Sequence, residues 1–325
     1  MKSFEYAAPK NLKDAVAQLS DTWGRTEILA GGTDLVTSLK QRITQPERVV
    51  SLKNIKELKG IKSKRGGLAI GSMTTLAELV ENKEARKNFP SLVTAVEGIG
   101  SPQILTVGTV GGDLCQRPRC WYYRNGYGLF GRRGDASLVR DGDNRYHAIF
   151  GNEGPALFVS PSSLGPALVA LGAEMILAGS GAKTRTVSAA EFFRTPKSET
   201  ERETALKPNE ILTEIVVPDK GLRNATYEVR HRHGFDWPYV TASVAFALKG
   251  GAISDARVVL GHVAPVPWNS AGAGGALNNS AVSESAAIKC GEAAAQGAKP
   301  LGGNAYKVQL VKTAVKRAVL AATAA

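Results

Sequence analysis

Leu29-Ala30-Gly31-Gly32-Thr33-Asp34-Leu35 and, about eighty residues later, Gly108-Thr109-Val110-Gly111-Gly112-Asp113-Leu114 are the stretches whose reading decides the fold. The run Thr26–Ala30 reads as a strand that passes directly into the first pair of glycines. Consecutive glycines let neighbouring backbone N–H groups turn inward as an anion nest, and Thr33 adds a hydroxyl donor. A pyrophosphate needs such donors at close range, where a Cβ would block its approach. The second stretch repeats the arrangement. One Gly-Gly-Thr alone is also what a tight strand-to-helix turn looks like, whereas two such loops suit an elongated dinucleotide clamped from both sides. Neither has the G-x-G-x-x-G order that opens a dinucleotide-binding helix, so a standard NAD site is disfavoured.

Outward from these loops the pattern mixes helix and strand. Asn11 caps a predicted helix whose Leu12, Ala15, Val16 and Leu19 share one face. Arg48–Leu52 and Leu68–Gly71 read as strands, and Thr74 or Thr75 caps the helix Leu76–Leu79. Ile211–Val217 is a further strand, followed by the turn Pro218-Asp219-Lys220-Gly221. A domain boundary is expected near residue 220. Beyond it lies a smaller α+β unit, with strands Thr226–Arg232, Val240–Leu248 and Ala256–Leu260 and helices Val282–Ala295 and Asn304–Ala322. Val308, Val311, Val315 and Val319 recur at helical spacing, so the last helix should pack on its own domain rather than on a membrane. Glu228, Arg230 and Arg232 alternate on what reads as an exposed strand face.

Composition narrows the function. The chain has 325 residues, 43% hydrophobic and 22% charged, with a net charge of +12. There is no zinc spacing, RNP-like motif or helix-turn-helix pattern, and the basic residues are spread out, so nucleic acid is not an expected partner. The N-terminus has no apolar signal core and no run approaches the ~20 apolar residues of a membrane span. Three cysteines make no disulfide framework, which together places the chain in the cytoplasm. No Ser-His-Asp set or metal-binding histidine pair is visible, and the four histidines leave little proton chemistry. That fits an electron carrier, whose cofactor does the redox chemistry.

Ala30-Gly31-Gly32-Thr33-Asp34-Leu35 and Thr109-Val110-Gly111-Gly112-Asp113-Leu114 resemble the two FAD motifs of the medium subunit of the molybdenum hydroxylases, the xanthine dehydrogenase family. Ile70-Gly71-Ser72-Met73-Thr74-Thr75, Ser101-Pro102-Gln103-Ile104, the run 166–173 and Asn304-Ala305-Tyr306-Lys307 follow in family order, so the resemblance spans nearly the whole chain. It implies an α+β fold: a two-lobed FAD-binding domain of the vanillyl-alcohol-oxidase (PCMH) type over 1–220, with lobes 1–60 and 61–220. A carbon monoxide dehydrogenase flavoprotein-like C-terminal domain would occupy 221–325. FAD would lie between the lobes, its pyrophosphate on Gly31, Gly32 and Thr33 with Leu29, Ala30, Asp34 and Leu35 around it. Gly108, Thr109, Gly111, Gly112 and Asp113 would hold the ribityl and flavin end, with Thr74, Thr75, Ser162 and Leu212 as further contacts. The resemblance also implies a heterotrimer. A large subunit carries the molybdenum–pterin centre, a small subunit carries two [2Fe–2S] clusters, and FAD passes electrons to NAD, O2 or a redox protein. A stand-alone flavin oxidase of the same fold would need a proton-transfer group over the flavin, and none stands out.

Residues 115–160 form an insertion relative to most of that family. It opens Cys115-Gln116-Arg117-Pro118-Arg119-Cys120-Trp121-Tyr122-Tyr123-Arg124, similar to the aldehyde oxidoreductase-like branch, whose flavin subunit holds an additional [4Fe–4S] cluster. Such a cluster needs four thiolates. Only Cys115 and Cys120 are here and Cys290 is remote, so no [4Fe–4S] cluster is expected in this chain. Serine at 163 replaces the aspartate usual in the family. The insertion's arginines, from Arg117 to Arg145, and its aromatics Trp121, Tyr122 and Tyr123 suit a docking face for an acidic subunit.

Overall fold

The computed structural model describes residues 1–64, 66–232 and 236–324. Its architecture is α+β, as the sequence predicts, and is organised around three sheets. The first is parallel: β1 (Glu5–Ala7), β2 (Thr26–Leu29) and β3 (Arg48–Ser51), with β3 in the centre. Val50, Leu52, Ile55 and Leu58 build its core together with Ala15 and Val16 of the N-terminal helix. Met73 and Ile211 reach into that core from the second sheet.

The second sheet is antiparallel: β4 (Ile61–Lys64), β5 (Gly67–Gly71), β6 (Glu174–Ala178), β7 (Thr184–Ser188) and β8 (Ile211–Pro218), in the order β4-β5-β8-β6-β7. β5 is buried throughout. Its core also takes residues from the helices Leu76–Glu81, Pro90–Glu97 and Leu164–Leu171. The last of these helices stops at Gly172, whose φ of 71° is the left-handed cap that glycine takes without penalty.

The third sheet is an antiparallel meander of β9 (Arg223–Val229), β10 (Val240–Lys249), β11 (Ala252–Gly261) and β12 (Trp268–Asn269). The helix Tyr306–Ala324 buries Val311, Val315 and Val319 against this unit, so it does pack on its own domain. It runs so close to Glu284–Ala294 that a Cβ on Gly291 would lie 2.5 Å from the carbonyl oxygen of Lys312. No helix among the described residues is long and apolar enough to cross a membrane.

Several strands depart from the sequence reading. β1, β4 and β7 were not expected. β1 is only three residues long, and β4 is an edge strand of sequence Ile-Lys-Ser-Lys with three exposed positions. Charge on an edge blocks further strand pairing and also erases the apolar alternation that marks a strand. β9 begins and ends three residues earlier than Thr226–Arg232, and β11 starts four residues before Ala256.

The segment 115–160 is woven into the fold. It contains a short ladder between Arg132–Arg133 and Ala136–Ser137 and a small core of Tyr123, Leu129, Phe130, Ala156 and Phe158. Its later half is bound to the C-terminal unit. The amides of Ile149 and Phe150 donate to the Val263 carbonyl at 2.8 and 3.0 Å. Asn304 donates from Nδ2 to the carbonyl of His147 at 3.1 Å. Ile149 and Phe150 belong to the third sheet's core.

Candidate functional site

β2 delivers the chain to the first glycine pair, and the helix Leu35–Lys40 starts directly after it, with the Val36 amide donating to the Gly32 carbonyl at 3.1 Å. Gly32 has φ +82°, a conformation L side chains rarely take. Gly31 is required for a different reason: a Cβ there would lie 2.0 Å from the Val107 carbonyl oxygen, on the approach to the second glycine pair. The two loops therefore touch backbone to backbone. The amides of Gly31, Gly32 and Thr33 donate to no protein acceptor among the described residues. Three adjacent donors are thus left free at the first glycine pair, on the wall of the cleft.

The second stretch is built otherwise. Val110–Cys115 is a helix, so Gly111 and Gly112 sit in a first turn rather than in an open loop. Thr109 caps it, accepting from the Gly112 amide at 3.1 Å. The Gly111 amide donates to the Ser72 carbonyl at 2.8 Å, and the Val110 amide to that of Thr74 at 2.9 Å. A Cβ on Gly111 would lie 2.8 Å from the Ser72 Cβ. Here glycine serves close packing of the turn Ser72–Thr75, and the amides of Gly111 and Gly112 are engaged within the protein. Periodicity missed this because two glycines inside a six-residue helix carry no apolar signal.

Asp113 is buried, and burial pushes its carboxyl above the usual range. Its Oδ2 accepts from Ser162 Oγ at 2.5 Å and from the Leu164 amide at 3.2 Å, and its Oδ1 from Gln116 Nε2 at 3.0 Å. Ser162 thus stands behind Asp113 and fastens it, while Asp113 itself lines the cleft. Thr74 donates from Oγ1 to the Gly60 carbonyl at 2.9 Å, and Thr75 caps Leu76–Glu81 in a reciprocal pair with Glu78. Both support the cleft from behind. Leu29 packs beneath Gly32, whereas Ala30, Leu35 and Leu212 reach the wall.

The cleft has two adjoining parts of about 190 and 280 Å³, which share Thr33, Asp34, Thr109, Gly112 and Gln116. The first part runs past Met73 and Leu212 to a buried charged end. There Arg202 pairs with Glu27 at 3.2 Å and Arg117 with Glu203 at 3.2 Å. Burial raises both carboxyls, against the pull of Arg117. At the second part, Arg230 and Glu228 form a buried ion pair with side chains each 7% exposed. The expectation of an exposed strand face fails for these two, because the third sheet closes over the cleft at this point. Arg232, paired with Asp236 at 3.0 Å, is exposed.

Two features of the site had no signal in the sequence. The Ser72 hydroxyl is buried on the cleft wall with no partner. Asp34 faces the insertion: it accepts from the Arg117 amide at 2.9 Å and from Arg124 at 2.8 Å, and pairs with Arg119 at 3.2 Å. Tyr123 lies between Arg117 and Arg124, at 5.3 and 5.5 Å from their guanidinium carbons. The docking face read from the sequence is thereby corrected. Arg117, Arg119, Arg124 and Tyr123 turn inward onto the cleft, and Arg132, Arg133 and Arg145 remain exposed. Cys115 borders the cleft with its thiol pushed up to about 12 by burial. Cys120 contacts His147 Nε2 at 3.1 Å, and Cys290 is buried in the C-terminal core. No group of three or more metal-ligating side chains occurs among the described residues.

The free amides of the first glycine pair and the orphaned Ser72 hydroxyl together fit an anionic dinucleotide. Ser72→Ala should change stability by less than about 0.5 kcal/mol, because the hydroxyl makes no bond in the free protein, yet weaken FAD binding about fivefold. Thermal melts and fluorescence titration with FAD measure the two effects. A loss of stability with unchanged FAD affinity would assign the hydroxyl to the fold instead.

The profile of the FAD binding domain in molybdopterin dehydrogenase matches residues 2–220. The chain belongs to that family. The CO dehydrogenase flavoprotein C-terminal domain matches residues 225–322 of this family member. Over 326 aligned residues the chain is 30% identical to the carbon monoxide dehydrogenase medium chain of Hydrogenophaga pseudoflava, covering 99% of this chain and 97% of that one. It is 27% identical to the aldehyde oxidoreductase FAD-binding subunit PaoB of Escherichia coli, covering 86% and 88%. Among solved structures, the carbon monoxide dehydrogenase of Hydrogenophaga pseudoflava superposes with a TM-score of 0.77 at 28% identity, covering 99% of this chain and 97% of that one. Quinoline 2-oxidoreductase from Pseudomonas putida 86 superposes with a TM-score of 0.77 at 25% identity, covering 100% and 99%. The chain is thus an FAD-binding oxidoreductase subunit, and its relatives are medium chains of multi-subunit molybdenum enzymes.

Proposed function

We propose that this chain is the electron-transfer subunit of a molybdenum-dependent dehydrogenase, receiving electrons from the [2Fe–2S] clusters of a small subunit and passing them to an external acceptor. The observation that carries the reading is the row of three unengaged amides at Gly31, Gly32 and Thr33, which line a cleft of two adjoining parts. In this reading those amides and the Thr33 hydroxyl hold the pyrophosphate. The second part of the cleft, beside Gly108, Thr109, Gly112 and Asp113, takes the flavin end. Bound there, FAD supplies exchange between two-electron and one-electron redox steps, and the protein supplies binding and electrostatics. Residues 1–220 form the cofactor domain in two lobes and 221–325 close it. The large molybdenum–pterin subunit oxidises the substrate, and the exposed Arg132 and Arg133 hairpin is the part of the insertion left to meet an acidic partner.

A visible spectrum of the purified chain before and after dithionite tests the reading. A two-band flavin spectrum that bleaches reversibly, with FAD released on denaturation, is the expected result. Iron analysis of the same sample should find no four-iron cluster in this chain. A protein that stays colourless after incubation with FAD would overturn the proposal. Substrate turnover by the isolated chain would favour a stand-alone flavin enzyme.

A further inference from the structure

A second cavity, of about 230 Å³, lies between the insertion and the C-terminal unit, and the function above leaves it unused. Its walls are flat. Tyr146 and Tyr239 stack at 5.6 Å with their planes 12° apart, and Trp121 lies 5.3 Å from Tyr146. Trp237 borders both this cavity and the flavin end of the cleft, as do Arg119 and Pro238, so the two spaces adjoin. Arg119 sits 5.0 Å over the Trp237 ring.

The polar lining is rich in donors. Lys307 is 1% exposed, and its Nζ donates to the carbonyls of Tyr146 and His262 at 2.9 and 2.8 Å. An ammonium has three donors, so one is left over. Among the described residues no carboxylate accompanies it, and burial brings its pKa down to about 7. His262 Nε2 is buried without a partner, although its Nδ1 contacts Thr241 Oγ1 at 3.0 Å. Among the described residues the one carboxylate on the wall, Asp236, accepts from Arg232 through both oxygens, at 3.0 and 3.1 Å. A cavity with aromatic walls and a spare ammonium donor suits a planar ring that presents oxygens.

We propose that this cavity binds a small quinone, which serves as an electron acceptor beside the flavin end of the cleft. The proposal rests on the flavin assignment above. The competing acceptor ring, an oxidised nicotinamide, is cationic and would face Arg119 and Lys307, while a dinucleotide exceeds the space. A quinone carbonyl accepts a hydrogen bond from either group, and both stabilise the negative charge that grows on its oxygen during reduction. With FAD bound in the cleft, its reduced form would supply the quinone with a hydride equivalent, two electrons and one proton. The Lys307 ammonium supplies the second proton and recovers it from water, and the ring leaves as the hydroquinone.

Duroquinone is the probe, because its ring has no open position for the Cys120 thiol to attack. Equilibrium dialysis against the full chain, with FAD loaded and with FAD stripped, should show saturable one-site binding in both. Val159→Phe fills the cavity without touching a polar group. It should weaken binding about tenfold or more while leaving the flavin spectrum unchanged. Lys307→Met should also weaken binding, with its folding checked by circular dichroism. Absence of saturable binding would overturn the proposal, as would equal affinity in Val159→Phe. Displacement of duroquinone by FAD would overturn it too, by placing the ring in the cleft, and so would tighter binding of nicotinamide mononucleotide. Binding by the stripped chain is read separately, so failure of the flavin assignment is distinguishable from failure of this one.

Discussion

Gly31→Ala should yield a chain that folds and purifies without flavin. Real Cβ atoms essentially never approach other heavy atoms closer than 3.0 Å, and here the added carbon would lie 2.0 Å from the Val107 carbonyl oxygen. Both neighbours are backbone, so no side-chain rotation relieves the clash, and the two glycine loops must separate. Overpacking of this kind costs about 1–3 kcal/mol of stability, which a chain of this size survives. The cofactor suffers more. The amides of Gly31, Gly32 and Thr33 move together, and each charge-assisted bond to a phosphate is worth about 1.5–3 kcal/mol. The expected loss of FAD affinity is about a hundredfold or greater. Flavin-to-protein absorbance ratio and a reconstitution titration measure it. Gly272→Ala is the control: no heavy atom lies within 4 Å of the added Cβ, so full flavin content should be retained. Stoichiometric FAD in Gly31→Ala would show that the contact between the loops is dispensable.

Asp34→Ala should destabilise the folded chain by about 3 kcal/mol, because it strands three part-buried cationic or donor partners at once. Asp34 has a side chain only 17% exposed, and Arg124 one only 12% exposed. The Arg117 amide and the Arg119 and Arg124 guanidiniums all converge on this carboxylate. Chemical denaturation measures the total, and hydrogen exchange should show lost protection over residues 117–124. The contrast is Glu47→Ala, which breaks the pair with Arg25 at 2.9 Å; those side chains are 61% and 63% exposed, and the change should leave the denaturation midpoint nearly unmoved. Equal effects of the two substitutions would mean that Asp34 does not anchor the insertion.

Much of the fold was legible because its sequence signals are local. Thr75 before Leu76 is a helix cap with Glu78 three residues on, and the structure contains that reciprocal pair. The valines of Tyr306–Ala324 announce a buried stripe, and they bury it. The edge strands β4 and β7 were not legible, because exposed edges carry charge and threonine rather than alternating apolar residues. At the site, the Gly-Gly-Thr nest could be read because its chemistry lies within three consecutive residues. The orphaned Ser72 hydroxyl, the Arg230–Glu228 pair at the cleft and the hold of Asp34 on three arginine residues could not. Each depends on partners brought together only by the tertiary fold, and no periodicity records such a meeting. The resemblance to the family supplied the cofactor, but a motif gives residue identity without saying which amide is free. It therefore gave cofactor contacts to both glycine pairs, although only the first leaves its amides free.

The bond from Asn304 to the carbonyl of His147 joins residues 157 apart in the chain, and Arg124 reaches back 90 residues to Asp34. Neither tie can form until its later partner has left the ribosome, and for His147 that partner is made more than a hundred residues afterwards. Contacts of such high sequence separation also fold slowly. The later half of the segment 115–160 gains its bonds to Val263 and Asn304 only once the C-terminal unit exists to receive it. A chain cut short before residue 263 would keep the glycine loops and the hold of Asp34 on Arg124 but lack the partners that fix residues 147–150.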